Sequence, residues 1–248
     1  MKHSFSDRAR YLGDPDFVQI PVPRLASKEY AAWVRQQISP ARTQPAEFYG
    51  HGSFKAEQGG TTHFGVLDRA GNAVSCSLTI NTQFGSKLLV PGTGIVLNNE
   101  IDDFAIHAGA PNVYGLIGAD ANSIQPKKRP LSSMTPTILL QGDHPYLIVG
   151  ASGGPRIISA TLQTILNVVD FQMPLKRAVE SPRIHHQWMP NELAVESKVS
   201  PSVRKSLERR GHQVKEKESL GVAQAIVAKG ARIEGMADPR KQEKARSD

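Results

Sequence analysis

The chain has 248 residues, of which 39% are hydrophobic and 21% charged, enough to bury a core as one or two domains. That balance excludes a disordered chain, and no apolar run approaches the roughly 20 residues that a membrane helix needs. The formal charge of +7 comes from scattered Lys and Arg, and the densest groups (Lys127, Lys128, Arg129 and Arg240, Lys241, Lys244, Arg246) have no interleaved aromatics. They read as a solvated surface rather than a nucleic-acid face. One cysteine, Cys76, excludes an internal disulfide and a Cys-based metal cluster. Its apolar-alternating setting, VSCSLTI, predicts a buried, inert thiol.

The first residues, MKHSFSDRARYLGDPDF, lack the apolar core of a secretory signal, so none is expected in this chain. Residues 1–60 read as helix and loop, with SKEYAAWVRQQI (27–38) a helix capped by Ser27. Residues 39–60 are rich in Pro, Gly and polar residues, and the composition shifts at Gly59-Gly60. From Thr61 the pattern is that of strands. THFGVLD and AVSCSLTIN alternate about the turn Arg69–Asn72, a hairpin signal. Further strands are predicted at 94–99, 135–140, 145–151, 192–196 and 223–237, the last broken by a Gly turn. Helices are predicted at 155–171, 174–181 and 200–211, the first with an apolar stripe of Ile157, Ile158, Leu162, Ile165 and Val169. Strand blocks alternating with a few helices imply packed layers of sheet and helix.

The chemistry concentrates in short clusters. In Gly59-Gly60-Thr61-Thr62-His63 the glycines let the backbone bend sharply, so the Thr61 hydroxyl could attack the Gly60 carbonyl. Cleavage would free an amine on Thr61 that serves as base for its own hydroxyl. The same residues also suit a plain linker entering a strand. His63, on the strand face of Thr61, is read as structural rather than as a triad member. His185-His186 lack a third ligand at metal spacing. The run Asn98–Phe104 could hold an ammonium, bind a cation or cap a turn. Ser132-Ser133 offer adjacent hydroxyls suited to a carboxylate and common in turns. Gly150–Pro155 joins a strand to a helix start, where backbone N–H groups can form an oxyanion site or simply a helix entry.

Taken in order, DRARYLGDPDF (7–17), TTHFGVLD (61–68), LTINTQFGS (78–86), GIVLNNEIDDF (94–104), KRPLSSMTPTI (128–138), GASGGPRII (150–158) and PRIHHQW (182–188) resemble the γ-glutamyltranspeptidase family. The resemblance implies an α+β fold, the four-layer αββα sandwich of N-terminal-nucleophile hydrolases, incomplete in this chain. It implies a precursor that cuts itself between Gly60 and Thr61, residues 1–60 being the end of the large chain and 61–248 the small catalytic chain. Thr61 matches the nucleophile and Thr79 the hydroxyl that supports it. Asn81, Glu100 and Asp103 match residues around the α-amino end of the γ-glutamyl group, and Ser132 and Ser133 match its carboxylate side. Gly153 and Gly154 match the oxyanion glycines, and Tyr114 the lid residue.

The implied reaction cleaves glutathione or other γ-glutamyl amides through a threonine ester. The acyl group passes to water or to an amino-acid or peptide acceptor, with no cofactor and no metal. The partners implied are those substrates and the upstream large chain of the same precursor, in the periplasm or outside the cell. Two departures stand out. Ala151-Ser152 occupies positions where many members have Ser-Pro. Residues 1–60 also resemble only the end of the large chain, so the arginine that pairs with the substrate carboxylate is not among them, and the chain alone is expected to be catalytically poor. The competing readings are a cephalosporin-acylase-like amidase of the same fold and an inactive fragment.

Overall fold

The computed structural model describes residues 1–50, 59–105, 116–230, 232–241 and 245–246. In chain order the elements begin with helices α1 (Lys2–Tyr11), α2 (Val22–Leu25) and α3 (Lys28–Gln37). Strands β1 (Gly59–Leu67), β2 (Ala73–Thr82), β3 (Thr137–Gln141) and β4 (His144–Ser152) follow, then helices α4 (Arg156–Val169) and α5 (Leu175–Glu180). Strands β5 (Ile184–His185) and β6 (Leu193–Glu196), helix α6 (Pro201–Arg209) and strands β7 (Val214–Lys217), β8 (Val222–Lys229) and β9 (Arg232–Ala237) complete the order. Two compact units share these elements: Met1–Glu57, Glu100–Ser132 and His185–Glu216 form the first, and Gln58–Asn99, Ser133–Ile184 and Lys217–Asp248 the second. This spatial division does not follow the boundary expected between residues 60 and 61.

In the first unit the Ser27 hydroxyl caps α3 by accepting from the Tyr30 N–H at 3.0 Å, as the sequence predicts. Ser200 caps α6 in the same way, and Gly211 follows that helix at φ 87°. Helix α1, not predicted as such, buries Phe5 and Ala9. Of the basic group expected to be solvated, Lys128 is buried, whereas Lys127 and Arg129 are exposed. Lys128 is 7% exposed, with its ammonium 5.8 Å from the centre of the Phe17 ring. Arg129 donates its backbone N–H (2.8 Å) and Nε (3.0 Å) to the buried Asp14 carboxylate. Those bonds hold Asp14 well below the usual carboxylate range.

The second unit stacks sheet on sheet. Strands β1 and β2 form an antiparallel pair, with Thr61 opposite Thr79, His63 opposite Ser77 and Gly65 opposite Ser75. These odd-numbered residues face the antiparallel sheet of order β3-β4-β8-β9. A Cβ at Gly65 would lie 3.1 Å from the Ile148 side chain, and the Ser75 hydroxyl donates to the Val149 carbonyl at 3.2 Å. Helices α4 and α5 cover the other face of that sheet, over a core of Leu147, Val149, Val168, Leu175, Val179 and Val227. The layers run β, β, α, three of the four layers of the predicted sandwich. The even-numbered face of β1–β2 leaves Phe64, Val66, Val74 and Leu78 exposed, and Cys76 beside them is half-buried rather than buried.

Two further local expectations fail. Residues 94–99 form no strand, and only a single bridge joins Leu89 to Val96. The buried face of α4 is Ile157, Ala160, Thr161, Thr164 and Val168, whereas Leu162 and Val169 are exposed. Small residues let this helix approach its sheet. The Thr164 hydroxyl satisfies itself on the Ala160 carbonyl at 2.9 Å, so a polar residue sits inward without a lost hydrogen bond.

Candidate active site

Thr61 follows the β-bulge that shifts the β1–β2 register between Gly59 and Thr61. A Cβ on Gly60 would lie 2.4 Å from the Thr82 carbonyl oxygen, so glycine is required at the bulge. Thr61 is 6% exposed, and its hydroxyl donates to the Thr79 hydroxyl at 3.1 Å. The Thr79 oxygen also accepts the Asn81 backbone N–H at 2.8 Å. Asn81 is buried in the left-handed region at φ 72°, which Asn tolerates better than most residues. Its side chain donates to the Asn99 carbonyl at 3.0 Å, and the Asn99 side-chain oxygen accepts from the Thr82 N–H and hydroxyl. A chain of hydrogen bonds thus runs from Thr61 to Asn99.

His63 is no partner of Thr61 in this network. Its Nδ1 bonds the Ser77 hydroxyl at 2.8 Å, and its ring lies against Gly150, where a Cβ would be 2.2 Å from the ring. Burial pushes its pKa down to about 4, so the imidazole is neutral at physiological pH.

Gly153 (φ 130°) and Gly154 (φ 60°) make the turn from β4 into α4, conformations that only glycine adopts readily. The 14-residue helix that starts at Arg156 adds its positive end to this turn. A Cβ on Gly153 would come within 3.0 Å of Gly221. Gly221 is in turn fixed by Arg183, whose guanidinium donates to its carbonyl at 2.9 Å and pairs with Asp238 at 2.8 Å. Asp238, fully buried, also accepts the Ala223 and Arg240 N–H groups. Burial alone would raise the Asp238 pKa, but Arg183 and the backbone donors outweigh it and hold it below the ordinary value. Sequence reasoning missed both residues. Arg183 lies within the quoted run PRIHHQW, but Asp238 comes after the last strand with no local pattern to single it out.

In the first unit the short turn Glu100–Asp103 brings two carboxyls together. They share a hydrogen bond, and Arg8 of α1 lines the same small cavity as Asp103. Burial, then the Glu100 charge, pushes Asp103 up to about 7 against the opposing pull of Arg8. Burial likewise raises Glu100. Ser132, exposed, and Ser133, half-buried, lie in extended loop backbone. Tyr114 lies outside the described residues. Among the described residues no group of His, Cys, Asp and Glu is placed to hold a metal ion, and no helix is long and apolar enough to cross a membrane.

Residues 1–247 match the family model described as gamma-glutamyltranspeptidase. The chain is 44% identical to the glutathione hydrolase proenzyme of Escherichia coli K12 over 241 residues, which cover 96% of this chain and 42% of that protein. It is 46% identical to the solved structure of an acivicin-inhibited gamma-glutamyltranspeptidase described as revealing critical roles for its C-terminus in autoprocessing and catalysis. That match has a TM-score of 0.71 and covers 73% of this chain and all of that one. A cephalosporin acylase from Bacillus halodurans is 27% identical at a TM-score of 0.78, covering 96% of this chain and 42% of its own. The chain therefore spans about two fifths of the length of the curated relatives it matches.

Proposed function

The chain belongs to the gamma-glutamyltranspeptidase family, and on that premise we propose that it supplies the nucleophile of a γ-glutamyl transferase and glutathione hydrolase. The observation that carries the reading is the Thr61–Thr79 hydrogen bond beside the Gly60 bulge. Attack by the Thr61 oxygen on the Gly60 carbonyl moves the acyl group from nitrogen to oxygen and frees the Thr61 amine, and water then cleaves the ester, leaving a Gly60 carboxylate and the Thr61 hydroxyl. The proenzyme relatives support such processing, and residues 61–248 make up about three quarters of the sequence, close to the share matched by the acivicin-inhibited structure.

In turnover the free Thr61 amine takes the hydroxyl proton as the oxygen attacks the γ-carbonyl of the substrate. The Gly153 and Gly154 N–H groups receive the oxyanion. The proton passes to the departing amine, leaving a γ-glutamyl ester on Thr61. Water or the amino group of an acceptor then attacks that ester and releases Thr61. Thr79 holds the nucleophilic oxygen. Asn81, Glu100 and Asp103 hold the α-amino end of the substrate, Ser132 and Ser133 its carboxylate, and Tyr114 screens the site. The amidase alternative draws on the acylase likeness, but the paired carboxyls Glu100 and Asp103 suit the ammonium of an amino-acid head. The large chain of the same precursor is the proposed partner, in the periplasm or outside the cell as the resemblance implies.

The test uses the full-length protein with γ-glutamyl-p-nitroanilide and N-terminal mapping. A new N-terminus at Thr61, with turnover abolished in Thr61→Ala, is the expected result. Full activity from an uncut protein, or from Thr61→Ala, overturns the reading.

A further inference from the structure

Neither Glu100–Asp103 nor the segment leading to Ser132 belongs to a sheet, yet the proposed substrate site needs both at fixed places. One buried side chain bridges them. Asn122, 6% exposed, ends the short helical turn Asp120–Asn122. Its Nδ2 donates to the Asp103 carbonyl at 2.8 Å, and its Oδ1 accepts the Leu131 N–H at 3.0 Å. Leu131 is the residue before Ser132. The backbone of Asn122 is committed as well: its N–H donates to Ala119 and its carbonyl accepts from Ala105 at 2.8 Å. The turn is anchored to α1, because the Ala119 N–H donates to the Ala9 carbonyl at 3.0 Å and a Cβ on Gly13 would lie 2.2 Å from the Ala121 oxygen. All these residues lie in the first unit.

The bridge demands an amide of this length. A backbone carbonyl can only accept and a backbone N–H can only donate, so the side chain must offer a donor on one branch and an acceptor on the other. An ionised Asp has no donor, and a Gln is one carbon too long for the same two partners. We propose that Asn122 is a positioning residue for substrate recognition, setting the spacing between the ammonium-binding carboxyls Glu100 and Asp103 and the hydroxyl of Ser132 on the carboxylate side. This inference rests on the γ-glutamyl reading given above.

The test compares wild type, Asn122→Ala, Asn122→Asp and a control, Thr164→Val, in the full-length protein. Thr164, in the second unit, is also buried and loses one hydrogen bond within α4. Donors are γ-glutamyl-p-nitroanilide and glutaryl-p-nitroanilide, the latter lacking the α-amino group. Both Asn122 variants should raise KM for the γ-glutamyl donor about tenfold, the effect of one lost hydrogen bond, while kcat changes less than about threefold. The preference for the γ-glutamyl over the glutaryl donor should shrink by a similar factor. Thr164→Val should lower thermal stability and leave KM and the preference unchanged. Processed Asn122 variants with wild-type KM and preference would overturn the inference alone. Failure of both Asn122 variants to fold while Thr164→Val folds would assign Asn122 to stability only and overturn it too. A wild type inert toward γ-glutamyl amides would instead overturn the reading beneath it.

Discussion

Arg183 and Asp238 form a 2.8 Å ion pair whose side chains are only 3% and 0% exposed. The pair links the segment before β5 to the end of β9, and through the Gly221 carbonyl it backs the Gly153 turn. Arg240 also pairs with Asp238 at 2.9 Å, so removing Arg183 strips the buried carboxylate of one of its two cations, at a cost of up to about 3–5 kcal/mol. Arg183→Met should therefore destabilise the protein by that order in urea titration. Arg183→Met with Asp238→Leu should recover part of the loss, because the under-paired carboxylate is gone while Arg240 keeps the Val179 and Ser181 carbonyls as acceptors. Equal stability of the single and double variants would show that the charge was not the problem.

The Asp103 carboxyl makes a pH-dependent contribution whose sign is fixed by its environment. Its folded pKa is raised to about 7 by burial and by Glu100, with Asp102 adding to the rise and Arg8 opposing it. The native state keeps a proton that the unfolded chain releases near the ordinary aspartate value of 3.8. This contribution is complete below the unfolded pKa and is lost as pH rises toward 7. Asp103→Asn should remove it, so that wild-type stability relative to the variant falls with pH by at most about 1.4 kcal/mol per unit. Urea titrations of both proteins between pH 4.5 and 7.5 measure the difference. A difference that grows with pH would contradict the assigned protonation.

Much of this architecture was legible in the sequence because it is local. The β1–β2 hairpin, the Ser27 and Ser200 caps and strands β3, β4, β6, β8 and β9 follow from alternation and turn chemistry. The segment at 94–99 misled because its apolar alternation finds only one bridging partner, and strand formation needs a ladder. The buried face of α4 misled because Thr161 and Thr164 look polar in sequence while their hydroxyls can bond within the protein. The roles proposed for Thr61, Thr79, Asn81, Glu100 and Asp103 come from resemblance, although Gly59-Gly60-Thr61 and the run Asn98–Phe104 already stand out locally. Asn122, Arg183 and Asp238 were missed because each acts on backbone or charge distant in sequence, leaving no periodic signal.

His63 and Gly150 hold strands β1 and β4 at a fixed approach, since no side chain fits between the ring and the backbone. Gly150→Ala should cost about 1–3 kcal/mol or more through overpacking. His63→Ala should cost a comparable amount through the cavity it leaves and the Ser77 bond it breaks. The double variant should be less damaged than the sum of the two, because the new methyl occupies space the ring has vacated. A denaturation cycle over the four proteins tests this. Strict additivity would mean that the two residues do not share the space the structure gives them.

The even-numbered face of the β1–β2 hairpin makes the final prediction. Phe64, Val66, Val74 and Leu78 alternate with the inward residues that include Thr61 and Thr79, and they form an exposed apolar stripe within this chain. A contiguous apolar face on a two-stranded sheet invites association. In the family fold proposed for the complete protein, a further helical layer covers this face. Phe64→Gln with Leu78→Lys should therefore act in opposite directions in two settings. In residues 1–248 expressed alone, the pair should reduce self-association, read by light scattering. In the full-length protein it should lower the yield of folded, processed enzyme, because a charge would be pressed against the covering layer. Thr61 and Thr79 point to the other face, so kcat of the enzyme that does fold should change little. Improved solubility in both settings, with processing intact, would show that this face stays open to solvent in the complete protein.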